Sequence, residues 1–138
     1  MTDWTSIARD PDVKADIFSL WVHTVPNDED WINISVVCKS AHSVVTVNGY
    51  ILMMADLYNW YEQLVRMDKS VAGNARLSGI EPYLTLQFAM DKLGNIAAEL
   101  DVLNECEETH HVKFSLDQSF LPAVISQLKA LFDRSRKC

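Results

Sequence analysis

The densest collection of side chains able to do chemistry is Cys106-Glu107-Glu108-Thr109-His110-His111. Thiolate, carboxylate and imidazole are the ligands of zinc and related metals. A metal centre needs them to converge, and the alternation after Thr109 predicts a strand, in which neighbouring side chains face opposite ways. His110 and His111 therefore cannot chelate one ion together. Glu108 and His110 share a face, but a third ligand would have to come from His23, His42 or a distant carboxylate. The segment reads as a polar connection, and no metal or other cofactor is expected.

Catalytic sets are equally thin. No G-x-S-x-G elbow is present, and no Cys or Ser adjoins a glycine-rich turn able to form an oxyanion hole. Gly49, Gly73, Gly79 and Gly94 stand alone, without the G-x-x-x-x-G-K-S/T or G-x-G-x-x-G spacing that cradles phosphate. No paired carboxylates lie in an apolar context that would raise a pKa for general acid work. The expectation is a binding protein and not an enzyme.

Negative charge, by contrast, is patterned. Asp28-Glu29-Asp30 is one acidic cluster; Asp101, Glu105, Glu107 and Glu108 form a second with no basic residue among them. The chain carries 19 Asp and Glu against 12 Lys and Arg, a formal net charge of -7. Phosphate binding draws on clustered Lys and Arg, so nucleic acid is not an expected partner. The only compact basic segment, Arg134, Arg136 and Lys137, complements a helix C-terminus. Acidic loops are attracted instead to a basic protein surface, where they can stand in for phosphates. These seven residues are the candidate contacts.

The elements that must position them follow from periodicity. Residues 15–25 are rich in β-formers, with Phe18, Leu20 and Val22 on one side and Ile17 and Trp21 on the other. A polar turn leads to a strand over 31–39 with Ile32, Ile34, Val36 and Cys38 inward and a half-exposed outer face. Residues 43–47 form a strand, Asn48-Gly49 a tight turn, and 50–54 a short return strand. A helix follows over about 55–68, capped by Asp56, with Leu57, Trp60, Tyr61, Leu64 and Val65 on one face. Strands over 75–77, 81–90 and 95–103 come next, the last two joined by a turn at Asp91-Lys92-Leu93-Gly94. A final strand after Thr109 runs into Asp117, a helix cap, and a second amphipathic helix over about 118–133. No internal repeat is evident. The fold class is α+β: an antiparallel β-sheet of hairpins with two amphipathic helices. All 138 residues form one domain, with 1–13 irregular.

Composition supports a folded chain, with 49% hydrophobic and 22% charged residues. Cys38, Cys106 and Cys138 make no CxxC pair and no disulfide framework, which fits a reducing compartment. The first residues lack the basic region and apolar core of a signal peptide, and no apolar run approaches the roughly 20 residues that cross a bilayer. A cytoplasmic location without a membrane partner is expected.

Four landmarks occur in order: Ala55-Asp56-Leu57-Tyr58-Asn59-Trp60-Tyr61-Glu62-Gln63-Leu64, Glu81-Pro82-Tyr83-Leu84-Thr85-Leu86-Gln87-Phe88, Gly94-Asn95-Ile96, and Phe114-Ser115-Leu116-Asp117-Gln118-Ser119-Phe120-Leu121. This series resembles the WapI-type immunity proteins of contact-dependent inhibition and related polymorphic toxin systems, over roughly 31–131. The resemblance implies a small cytoplasmic bacterial protein that binds a cognate toxin C-terminal domain and blocks it without chemistry of its own. Asp56 and Asp117 would then be caps and Gly94 a turn residue. An acidic inhibitor best fits a basic nuclease as its toxin. The alternative is a self-associating adaptor or structural subunit without a toxin partner, built through a sheet edge or the outer face of the 31–39 strand, and a homodimer stays open.

Overall fold

The computed structural model describes residues 9–103 and 107–136. In chain order the elements are β1 (Val13–Ala15), β2 (Phe18–Val22), β3 (Trp31–Lys39), β4 (Val44–Met53), α1 (Met54–Ser70), β5 (Gly73–Ser78), β6 (Leu84–Met90), β7 (Asn95–Leu103) and β8 (Thr109–Asp117). A short 3-10 turn, Gln118–Phe120, leads into α2 (Leu121–Arg136). The strands form two four-stranded antiparallel sheets, β1-β2-β3-β4 and β5-β6-β7-β8, and each sheet is followed by one helix.

Alternation along the strands puts Leu84, Leu86 and Phe88 of β6 and Ile96, Leu100 and Val102 of β7 in the core. Leu57, Trp60, Leu64 and Met67 repeat at helical spacing and form the buried stripe of α1. Trp60 joins the two sheets. Its ring centroid lies 6.4 Å from Phe18 of β2 and 5.8 Å from Phe88 of β6, edge-on to both. One continuous apolar cluster therefore runs through both sheets and both helices.

The α+β class, the β3 and β7 spans and both helices agree with the periodicity of the sequence. Other expectations are corrected. The stretch 15–25 is not one strand: the chain turns at Asp16, with φ of 53°, and Val13 and Ala15 pair back on Leu20 and Phe18. β1 thus begins at the end of the segment expected to be irregular. Asn48-Gly49 is no hairpin turn. The flanking segments both pair with β3, and the register shifts between Ile32↔Leu52 and Ile34↔Gly49. This is a β-bulge within one long β4, and Gly49 at φ 129° supplies the permissive backbone that an Asn-Gly turn would also have used. The outer face of β3 is less exposed than its polar residues imply. Ser35 and Val37 are buried there, beside Trp21, whose indole N–H donates to the Arg9 carbonyl at 2.9 Å. His23 Nε2 lies 2.7 Å from the Ser35 hydroxyl.

An internal repeat is also present, against expectation. Each half is a four-stranded meander running straight into a helix. For the third strands and the helices the displacement along the chain is constant: Trp31–Lys39 corresponds to Asn95–Leu103, Leu57 to Leu121, Trp60 to Val124, Leu64 to Leu128 and Met67 to Leu131. Every one of these helical positions is buried. Within the third strands and the helices the same residue recurs only at Ile32/Ile96, Leu57/Leu121, Gln63/Gln127 and Leu64/Leu128. Burial is preserved across the halves and residue identity is not, so the repeat escapes a reading of residue types.

The helix ends show how local chemistry sets the frame. Asp56 is not the N-cap of α1. It stands at the third helical position, and its carboxylate reaches back to the Met53 N–H at 2.8 Å. At the other end Val71 adopts φ 51°, ψ 43° and donates its N–H to the Met67 carbonyl at 2.9 Å. That left-handed cap suits glycine and strains a β-branched residue. Val71→Gly is expected to raise stability by about 1 kcal/mol, read as a higher urea midpoint with an unchanged m value.

Asp117 accepts the Ser119 hydroxyl and the Ser119 N–H, the latter at 2.8 Å, and Asp91 accepts the N–H groups of Asn95 at 3.0 Å and Leu93 at 2.9 Å. These donors hold both carboxyls below their ordinary range. A depressed folded-state pKa contributes stability above the unfolded value of about 3.9, and that contribution is lost as pH falls through the folded value. The Asp91→Asn, Asp117→Asn double variant should therefore unfold at lower urea than wild type at pH 7. The gap should narrow in the acid range, and urea titrations at pH 7 and pH 3 check it.

Candidate interaction surface

The first acidic cluster sits on a loop made rigid by its own sequence. The Asn27 side-chain oxygen accepts the N–H groups of Glu29 at 2.9 Å and Trp31 at 3.0 Å, and the Asp30 N–H closes on the Asn27 carbonyl at 2.9 Å. Asp28 and Glu29 are left exposed at the tip. Asp30 is half-buried at φ 71° and ties the loop to α1. Its carbonyl accepts the Met54 N–H at 3.0 Å and its carboxylate the Ala55 N–H at 2.9 Å. The orphan amides of the α1 N-terminus are thus capped by a residue distant in sequence. Asp56 lies beside it; burial lifts its carboxyl pKa, the Met53 N–H opposes that rise and the Asp30 charge adds to it.

Between this loop and the two helices runs an open groove of about 410 Å³, lined among others by Pro26, Asp30, Met54, Tyr58 and Phe132. The Phe132 ring lies 5.5 Å from both Tyr58 and Tyr61. Tyr58 is 44% exposed and Val25, in the same connection as the acidic loop, is 51% exposed. An accessible aromatic over an apolar floor, with the acidic Asp30 beside it, has the composition of a protein-binding hot spot. The sequence offered a weak signal for it. Tyr58 precedes the buried Trp60 and the partly buried Tyr61, and only the approach of α2 gives it a role.

The second cluster is organised differently. Asp101 and His111 are directly opposite on β7 and β8, with 2.5 Å between carboxylate and Nδ1. Glu99 and Lys113 form the next cross-strand pair at 3.8 Å, and Glu108 lies 3.7 Å from His110. The two histidines face opposite ways, each with its own carboxylate, as strand alternation requires. Glu107 is exposed with φ of 63°, and Glu105 lies outside the described residues. Among the described residues, the groove takes in Asp30 of the first cluster and not Asp101, Glu107 or Glu108 of the second.

Among the described residues, no three His, Cys, Asp or Glu side chains come together as a metal-ligand set. Cys38 is buried, and burial, with the nearby Asp16 charge adding to it, pushes its thiol up to about 11. It is a packing residue without thiolate reactivity.

No helix among the described residues is long and apolar enough to cross a membrane. No curated protein sequence and no solved structure matches the chain significantly. A model of the immunity protein WapI-like family matches residues 11–135, a span that takes in both sheets, α1 and all but the last residue of α2. The chain belongs to the WapI-like immunity protein family.

Proposed function

We propose that this is a cytoplasmic immunity protein that neutralises one cognate bacterial toxin domain, a basic nuclease by class, by covering its positively charged surface. It acts by association alone. The observation that carries this reading is the loop Asp28-Glu29-Asp30, locked to the α1 N-terminus through Asp30, which also lines the groove beneath Tyr58. A loop already held by Asn27 and Ala55 loses little conformational entropy on binding, so more of the contact energy reaches the affinity. The net charge of -7 speeds encounter with a basic partner, while the apolar floor supplies the area that slows dissociation.

The test is growth rescue by co-expression with the C-terminal domain of the protein encoded directly upstream, coupled to a sizing column. Rescue together with a stoichiometric complex is the expected result. A domain that kills in the presence of this protein and forms no complex with it would overturn the proposal. A stable oligomer formed without any toxin would favour the adaptor alternative.

A further inference from the structure

Among the described residues, each sheet has one edge strand bonded by a helix side chain and one that is not. In an antiparallel sheet, successive residues direct their backbone groups alternately to either side. The Gln118 N–H donates to the Gly94 carbonyl at 2.9 Å, and β8 continues that register unbroken from Asn95↔Asp117 to Leu103↔Thr109. His110, Val112, Phe114 and Leu116 therefore bond to β7. Thr109, His111, Lys113 and Ser115 turn their N–H and C=O groups outward.

On the far edge of the same sheet the outward groups at the middle of β5 are covered. The Gln63 carboxamide of α1 donates to the Arg76 carbonyl at 3.3 Å and accepts the Arg76 N–H at 2.8 Å. Gln127, at the equivalent position of α2, accepts the Lys14 N–H of β1 at 2.9 Å. Each helix thus seals the first strand of the other half. No described residue does this for β8. The other open edge, β4, is bent by its bulge at Gly49, a common protection against strand addition. β8 has no bulge, and Val112 and Phe114 on its inner face are only half-buried.

Charge selects the occupant. Glu107 and Glu108 precede β8 and Asp117 ends it, while Glu99 and Asp101 on β7 are matched by Lys113 and His111 of β8 itself. An antiparallel second copy centred on β8 would set Glu107 and Glu108 of one chain near Asp117 of the other, and each chain carries -7. We infer that the free edge of β8 is a docking site for an extended, Lys- or Arg-bearing strand of the toxin domain, which joins the second sheet as an added strand. This rests on the immunity reading above.

Lys113→Pro and Ser115→Pro each remove one outward N–H and leave the bonds to β7 intact. Each should weaken the complex with the toxin domain by 10-fold or more, whereas Thr46→Pro on β4 should leave it unchanged. In the wild-type complex, amide hydrogen exchange at His111, Lys113 and Ser115 should slow by 10-fold or more, a readout that does not depend on a proline variant folding. Folded variants with wild-type affinity, or unaltered exchange in a stoichiometric complex, would overturn the edge and leave the immunity reading standing. Absence of any complex would remove both. Protection of the same amides in a toxin-free dimer would assign the edge to a second copy instead.

Discussion

Trp60→Ala is expected to cost about 3–5 kcal/mol of folding stability, a large fraction of what a domain has to spare. The ring is fully buried in α1 and touches Phe18 of one sheet and Phe88 of the other. Its removal opens a cavity where the two halves meet, and neither sheet can relax into the gap without losing its register to the shared helix. Among the described residues the indole N–H has no hydrogen-bond partner, an arrangement that itself costs about 1–3 kcal/mol. Trp60→Phe removes that orphan donor while keeping an aromatic ring, so it should cost markedly less than Trp60→Ala. Urea unfolding of the three proteins checks the order. An Ala variant within about 1 kcal/mol of wild type would mean that the halves are not held by a common core.

The second large effect is on association. Asp28→Lys with Glu29→Lys is expected to slow toxin binding by about 10- to 100-fold at low salt, and the deficit should shrink as ionic strength rises toward 0.5 M. The two residues are exposed on a loop fixed by Asn27, so their reversal alters the local field with little consequence for folding. Asp30 is best left in place in this experiment. Its carboxylate caps α1 through Ala55, and reversing it would destabilise the helix and confuse the two readouts. Reversal of Asp101, Glu107 and Glu108 is expected to do less, because Asp101 is engaged by His111 and Glu108 lies beside His110. Stopped-flow association at two salt concentrations is the measurement. A double variant that associates at the wild-type rate in low salt would take the 28–30 loop out of the interface.

Much of this protein is legible in its sequence. The alternation over Trp31–Lys39 and Asn95–Leu103 and the heptad-like stripes around Trp60 and Leu128 fixed strands, helices and buried faces, because side-chain direction repeats with a period set by the backbone alone. Asp117 declared a helix start and Asp91-Lys92-Leu93-Gly94 a turn for equally local reasons: their side chains bond to amides two to four residues away. The family landmarks and the two acidic clusters are properties of residue types and needed nothing more.

What the chain order leaves open is which distant group each backbone amide and carbonyl will meet. Asn48-Gly49 satisfies the same local rule as a hairpin turn or as a bulge, and only the pairing of both flanks with β3 decided for the bulge. Asp30 carries the same charge as Asp28, yet the amide of Ala55 makes it a helix cap and leaves its neighbours to the solvent. The duplicated architecture, the glutamines that seal β1 and β5, and the open edge of β8 likewise depend on contacts between the halves. Periodicity specifies elements and their faces within a few residues. Partners across a sheet or between halves are chosen by long-range packing and hydrogen bonding, whose energies no local pattern records.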